Sequence, residues 1–228
     1  MNQRKIEYWV IPPKKNSEFV AVMEDILDLY KQPYDEKYPV VCMDEQPAQL
    51  INEVKIPILE TKEHPKRIDY EYERNGTASI FMFAEALKGW RKVEVREHRK
   101  KVDWAVEVAS LLETRYSNVK KLILVCDNLN THTKGAFYEA FEPEKAREII
   151  KRLEIRHTPK HGSWLNIAEN ELSSMTRQSL KFRIGTIEKL RKQVQDWAEA
   201  INKEQRGVDW QFTTDDARIK LKSLYPKI

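Results

Sequence analysis

Two short, uninterrupted apolar runs, each stopped by an acid, constrain this sequence most: Val40-Val41-Cys42-Met43 ends at Asp44-Glu45, and Leu122-Ile123-Leu124-Val125-Cys126 ends at Asp127. A run of that length without polar alternation suits a strand covered on both faces, as at the centre of an α/β sheet. Between the runs, Trp104, Val108, Leu111 and Leu112 recur at helical spacing behind Asp103, which reads as the helix cap. Such a helix is the crossover that two parallel neighbours need. Parallel strands would bring Asp44 and Asp127 to one crevice at the C-terminal edge of the sheet, where open α/β sheets place ligands.

The remaining pattern fills out a mixed sheet with helices on both faces. Residues 47–66, broken by Pro47, Pro57 and Pro65, read as an irregular insertion. Ile68, Tyr70 and Tyr72 then alternate up to Asn75-Gly76, a strong hairpin signal, with Ile80-Phe81-Met82-Phe83 as the partner strand. Tyr70, Tyr72, Phe81 and Phe83 are expected in the core. A second turn near Lys88-Gly89 leads to Trp90, Val93 and Val95. Beyond Asp127 the expectation is a helix over 143–152, a strand Leu153–His157, and a long helix capped by Ser163 that runs to about Phe182. A further helix is expected over 186–203, and a last one behind Thr213 or Thr214. At the start, Ile11-Pro12-Pro13 reads as a stiff extended arm. Asn16 or Ser17 then caps a helix carrying Phe19, Met23, Ile26, Leu27 and Tyr30. The expected division is a linker arm over 1–36, the main α/β domain over 37–205 and a helical extension over 206–228.

The net charge of +4, from 40 basic and 36 acidic residues, gives a mixed surface that tolerates nucleic acid without demanding it. Cys42 and Cys126 lie in separate apolar runs with no metal-ligand spacing, and read as buried reduced thiols. No stretch has the apolar length of a membrane span and the N-terminus carries no signal-peptide core, so the expected setting is cytoplasmic.

Clustered carboxylates are hard oxygen donors suited to Mg²⁺ or Mn²⁺. Two such ions, ~3.5–4 Å apart, serve phosphoryl transfer by activating one oxygen and stabilising another. A third acid would complete the cage. Glu169 and Glu171 flank the stripe Leu165, Ala168, Leu172 and Met175 at similar angles, and periodicity does not choose between them. Asn128, Asn130 and His132 could orient a phosphate or an attacking water, or could form an Asx-turn with a surface histidine. Lys160, His161 and Trp164 could touch a DNA backbone or stack on a base. The densest basic run, Arg91, Lys92, Arg96, His98, Arg99, Lys100 and Lys101, reads as a solvated face.

The blocks Cys42-Met43-Asp44-Glu45-Gln46, Cys126-Asp127-Asn128-Leu129-Asn130-Thr131-His132 and Thr158-Pro159-Lys160-His161-Gly162-Ser163-Trp164-Leu165-Asn166-Ile167-Ala168-Glu169 resemble the three catalytic blocks of the IS630 branch of the IS630/Tc1/mariner transposases. Tyr70–Gly76, Gly89–Val93 and Val208–Thr213 extend the similarity. The resemblance implies an RNase H-like fold and a triad of Asp44, Asp127 and Glu169. It also implies two Mg²⁺ ions, replaceable by Mn²⁺, with Asp44 bridging both. The implied partners are transposon-end DNA, a TA-containing target and a second copy of the chain, in a prokaryotic, nucleoid-associated setting. Family members usually begin with helix-turn-helix domains that read the transposon ends, for which the residues before Tyr30 leave no room. Two rival readings are an RNase H-superfamily nuclease and a catalytically silent, DNA-binding remnant.

Overall fold

The computed structural model describes residues 16–226, and the Ile11-Pro12-Pro13 arm lies outside them. Five strands form one mixed sheet: β1 (Val40–Glu53), β2 (Tyr72–Glu85), β3 (Trp90–Arg96), β4 (Leu122–Cys126) and β5 (Leu153–His157), in the order β3-β2-β1-β4-β5. The first three strands are antiparallel neighbours, while β1, β4 and β5 run parallel. The helices are α1 (Ser17–Lys31), α2 (Lys101–Glu113), α3 (Gly135–Ala140), α4 (Pro143–Lys151), α5 (Ile167–Ser179), α6 (Ile187–Glu204) and α7 (Thr214–Lys220).

Side-chain alternation along each strand divides the core in two. Cys42, Ile80, Met82, Val93, Val95, Ile123 and Val125 face a layer built from α1, α5, α6 and α7. Val41, Met43, Phe81, Phe83, Leu122, Leu124 and Cys126 face α2, α3 and α4. The β4 sequence is apolar at every position because it serves both layers. Cys42 and Cys126 are buried free thiols. No helix of the described residues is long and apolar enough to cross a membrane.

Several local expectations give way to longer-range pairing. The strand β1 does not stop at Asp44; it runs through Pro47 to Glu53, so the first part of the expected insertion is sheet and the irregular segment begins only after it. It pairs with β4 only over Val40–Cys42. Beyond that point this side of β1 has no strand neighbour, an edge where the missing N–H of Pro47 is tolerated. Asn75-Gly76 is not a hairpin either. The strand β2 continues through it, and these two residues lie opposite the single Leu50, between the pairs Gln49–Thr77 and Ile51–Arg74. With Gly76 at φ 88°, the pair is a β-bulge. Tyr70 and Tyr72 are exposed rather than core, while Phe81 and Phe83 are fully buried. Asp103 is not the cap of α2 but its third residue, and its carboxylate accepts from the Lys100 N–H (2.8 Å).

The β2–β3 turn holds Gly89 at φ 64°, and a Cβ there would stand 2.6 Å from the Gln205 backbone. Left-handed backbone alone costs a residue with a Cβ about 1–2 kcal/mol. Gly89→Ala should therefore lower the melting temperature by roughly 4 °C or more. Melting indistinguishable from wild type by calorimetry would mean that this turn does not pack on the end of α6.

Candidate active site

Alternation sends adjacent acids of β1 to opposite faces. Asp44 shares the face of Cys42 and enters an open cleft of about 510 Å³ between β1 and α5. Glu45 shares the face of Met43, and its side chain is only 3% exposed. Asp44 lies two residues beyond the last β1–β4 pair, and Asp127 directly follows the end of β4. Both acids therefore sit where β1 outruns its neighbour, and Asp127 lines the same cleft.

The third side of the cleft is α5. Its cap is Asn166, not Ser163, which starts a separate 3-10 turn (Ser163–Leu165). Asn166 accepts from the Ala168 N–H (3.2 Å), and its buried amide donates to the Met43 carbonyl (2.8 Å). One side chain thus ends the helix and ties it to β1 beside Asp44. From this start Glu169 faces the cleft, together with Leu172, Ser173, Thr176 and Arg177. Positions i, i+3, i+4, i+7 and i+8 make one helical stripe, a signal present in the sequence but missed because only the apolar stripe was followed.

Glu171, the rival third acid, is used elsewhere. It is buried against Arg91 of β3, which donates Nε to Oε2 (3.0 Å) and a terminal nitrogen to Oε1 (2.7 Å). Arg91 also donates to the Arg206 carbonyl (2.6 Å). Arg91 therefore does not belong to a solvated basic face, being 2% exposed. Lys92 and Arg96 of the same run pair with Glu107 of α2.

His132 is fully buried, so it is not the surface histidine of an Asx-turn. Its ring stacks on Trp104, with centroids 5.3 Å apart. Nε2 lies 3.1 Å from Glu45 Oε1, and Nδ1 lies 2.7 Å from Asp127 Oδ1. The Asp127 contact is an ion-pair approach without hydrogen-bond alignment, and Oδ1 has no other partner. Burial disfavours the charged ring, but Asp127, the Cys126 thiol and Glu45 outweigh it and push the imidazole up to about 12. The ring therefore lies between two carboxylates, Asp127 and Glu45, which favour its protonated form. Asn128, Asn130, Lys160 and His161 are exposed but do not line the cleft. Trp164 is half-buried and packs edge-on against Phe212 (5.7 Å).

Asp44 carries the electrostatic signature of the cleft. Burial, followed by the nearby charges of Asp127, Glu169 and Glu45, raises its carboxyl to about 6, although the Glu45 N–H (2.8 Å) works against this. A cluster of carboxylates that repel one another, offering oxygen donors only, fits a hard divalent cation. Among the described residues, no three acidic, His or Cys side chains converge tightly enough to form a ready-made metal cage.

A family model described as DDE superfamily endonuclease matches residues 39–191. Comparison with curated protein sequences found no match. Among solved structures, a Mos1 transposase paired-end complex with left transposon end superposes with a TM-score of 0.60 at 14% identity, covering 98% of this chain and 68% of that one. A Mos1 mariner paired end complex with Mn gives 0.56 at 16% identity, over 90% and 63%. The catalytic domain of Mos1 mariner transposase gives 0.54 at 13% identity, over 87% and 91%. The chain thus spans about two thirds of the transposase chains in those complexes. The mixed five-stranded sheet is the RNase H-like fold of that catalytic domain.

Proposed function

Because this chain belongs to the DDE superfamily endonucleases, we propose that it is the catalytic domain of a cut-and-paste DNA transposase of the IS630/Tc1/mariner type. It hydrolyses a phosphodiester at each transposon end and joins the freed 3′-OH to target DNA, at TA by the family resemblance. The observation that carries this reading is the meeting of Asp44, Asp127 and Glu169 in one cleft, each delivered by a different element.

Asp44, Asp127 and Glu169 would hold Mg²⁺ or Mn²⁺, with Asp44 between the other two. The bound ions supply the Lewis acidity that lets an oxygen nucleophile form at neutral pH and offsets charge on the leaving oxygen. The protein's own contribution is placement. The His132 imidazolium fixes Asp127, and the Asn166 amide holds the start of α5 against β1. The Arg91–Glu171 pair ties α5 to β3, so that Glu169 keeps its direction. Ser173, Thr176 and Arg177 extend the cleft wall with groups suited to a phosphate backbone. Two ends must be cut and joined together, so the working form is a pair of copies, one at each end.

The test is a strand-joining assay with Mn²⁺, using a duplex that ends in the transposon terminus and a labelled TA-containing target. Nicking followed by joined product is expected. Nicking without joining would replace the transposase with a nuclease, and DNA binding with neither activity would leave the remnant.

A further inference from the structure

The acid cleft does not end at Thr176. It continues into a groove of about 370 Å³ that shares Gln46, Pro47 and Thr176 with it. One wall is the outer edge of β1 from Pro47 to Ile51, where the strand has left β4 behind. The other is the segment 180–184 that follows α5. The two walls meet where the Ile51 N–H donates to the Ile184 carbonyl (2.8 Å), so the groove closes at that end. Gln46 and Thr176 bridge it where it leaves the cleft (3.1 Å).

The groove offers two kinds of group together. Phe182 is 65% exposed, a large aromatic ring held out from the core, with Lys66 Nζ above it at 4.7 Å. Lys181 is exposed beside it in the groove, and Arg177 is exposed in the wall of the adjoining cleft. Among the described residues no carboxylate pairs with Lys66, Arg177 or Lys181, and the nearby Glu53 is already neutralised by Arg183 (2.7 Å). Unpaired cations along a track that carries an exposed aromatic ring match the chemistry of single-stranded nucleic acid, with phosphates on the cations and a base on the ring. A base within a duplex is stacked on both faces and has none left to offer. The occupant is therefore unpaired.

We infer that this groove holds unpaired nucleotides of one DNA strand next to the bond being cut, with Phe182 as the stacking platform and Arg177, Lys181 and Lys66 on the phosphates. The inference rests on the transposase reading for its substrate. It adds that the DNA is opened beside the cleft, on the β1 side.

The experiment is fluorescence anisotropy of the full chain in EDTA, with a labelled oligothymidylate and, separately, a blunt duplex. Phe182→Ala should weaken oligothymidylate binding about tenfold, within the range that loss of one stacked base gives, and leave the duplex unchanged. Phe182→Trp should restore the affinity. Lys181→Gln should lower the salt slope of single-strand binding by about 0.7, the share of one phosphate. Phe182 is exposed, so its variants should melt as wild type does. The groove assignment is overturned if the wild-type chain does not bind the oligonucleotide, if Phe182→Ala binds it unchanged, or if duplex affinity falls in parallel. Wild-type chain that fails to nick DNA would remove the transposase reading without altering these comparisons. An ineffective Phe182→Ala in a chain that nicks and joins would remove the groove alone.

Discussion

Asp44→Asn should move two measurements in opposite directions. Nicking with Mn²⁺ should fall by roughly a thousandfold, since losing a few kcal/mol of charge stabilisation at a phosphoryl-transfer site corresponds to that factor. The metal-free protein should nevertheless become more stable at pH 7. Burial and the charges of Asp127, Glu169 and Glu45 raise the Asp44 carboxyl from 3.8 to about 6, so ionising it disfavours the folded state. That cost develops as pH rises from about 4 to about 6 and is fully present at neutral pH, where it is on the order of 2 kcal/mol. Asparagine keeps the side-chain oxygen that accepts from the Glu45 N–H and removes the charge. The metal-free variant should melt roughly 4 °C above wild type at pH 7 and level with it at pH 4. Thermal melts at both pH values, paired with a nicking assay, check this. A variant that is inactive and also less stable at pH 7 would show that Asp44 serves the fold rather than a site strained for function.

Glu169 and Glu171, two residues apart, should respond to alanine in contrary ways. Glu171→Ala leaves the Arg91 guanidinium, only 1% exposed, without its counter-ion. Breaking a buried pair from one side costs about 3–5 kcal/mol, a fall of roughly 10 °C or more in melting temperature for a chain of this size. Glu169→Ala removes an exposed carboxylate and should leave melting within the error of the scan while nicking disappears. Replacing both partners, Arg91→Met with Glu171→Leu, should recover most of the lost stability. Equal melting of the two single variants would undo the division of roles between these acids.

The sheet was legible because its central strands announce themselves. Val40–Met43 and Leu122–Cys126 carry no polar residue, a composition that suits a short strand covered on both faces. The capping signals were local: of the pairs Asn16 or Ser17 and Thr213 or Thr214, Asn16 and Thr213 are the caps. What failed depended on partners distant in sequence. Pro47 looks like a terminator until β1 is known to have a free edge beside it. Asn75-Gly76 looks like a hairpin until Leu50 is found opposite. Tyr70 and Tyr72 are exposed because β2 begins only at Tyr72, so Tyr70 lies outside the sheet and Tyr72 at its first position. At the site, the two strand-end acids could be placed from the apolar runs, whereas periodicity left Glu169 and Glu171 equivalent and only the family resemblance favoured Glu169; the physical difference, the pairing of Glu171 with Arg91, lies some eighty residues away in the chain. His132 was misjudged for the same reason, because neither Trp104 nor Glu45 is its neighbour in sequence.

The two core layers share the sheet and little else, and the acids are divided between them. Asp127 is held through His132 to the layer of Trp104 and α2, whereas Glu169 rides on α5 in the opposite layer. The distance between these carboxylates is thus a property of a seam, set by how one layer of helices is registered against the other. On the proposed reading, a change that lets α5 slide on the sheet would alter the metal site without touching its acids or melting either core. On the proposed reading, activity should fade when that seam loosens, and the Arg91–Glu171 pair and the Asn166 amide are its fasteners.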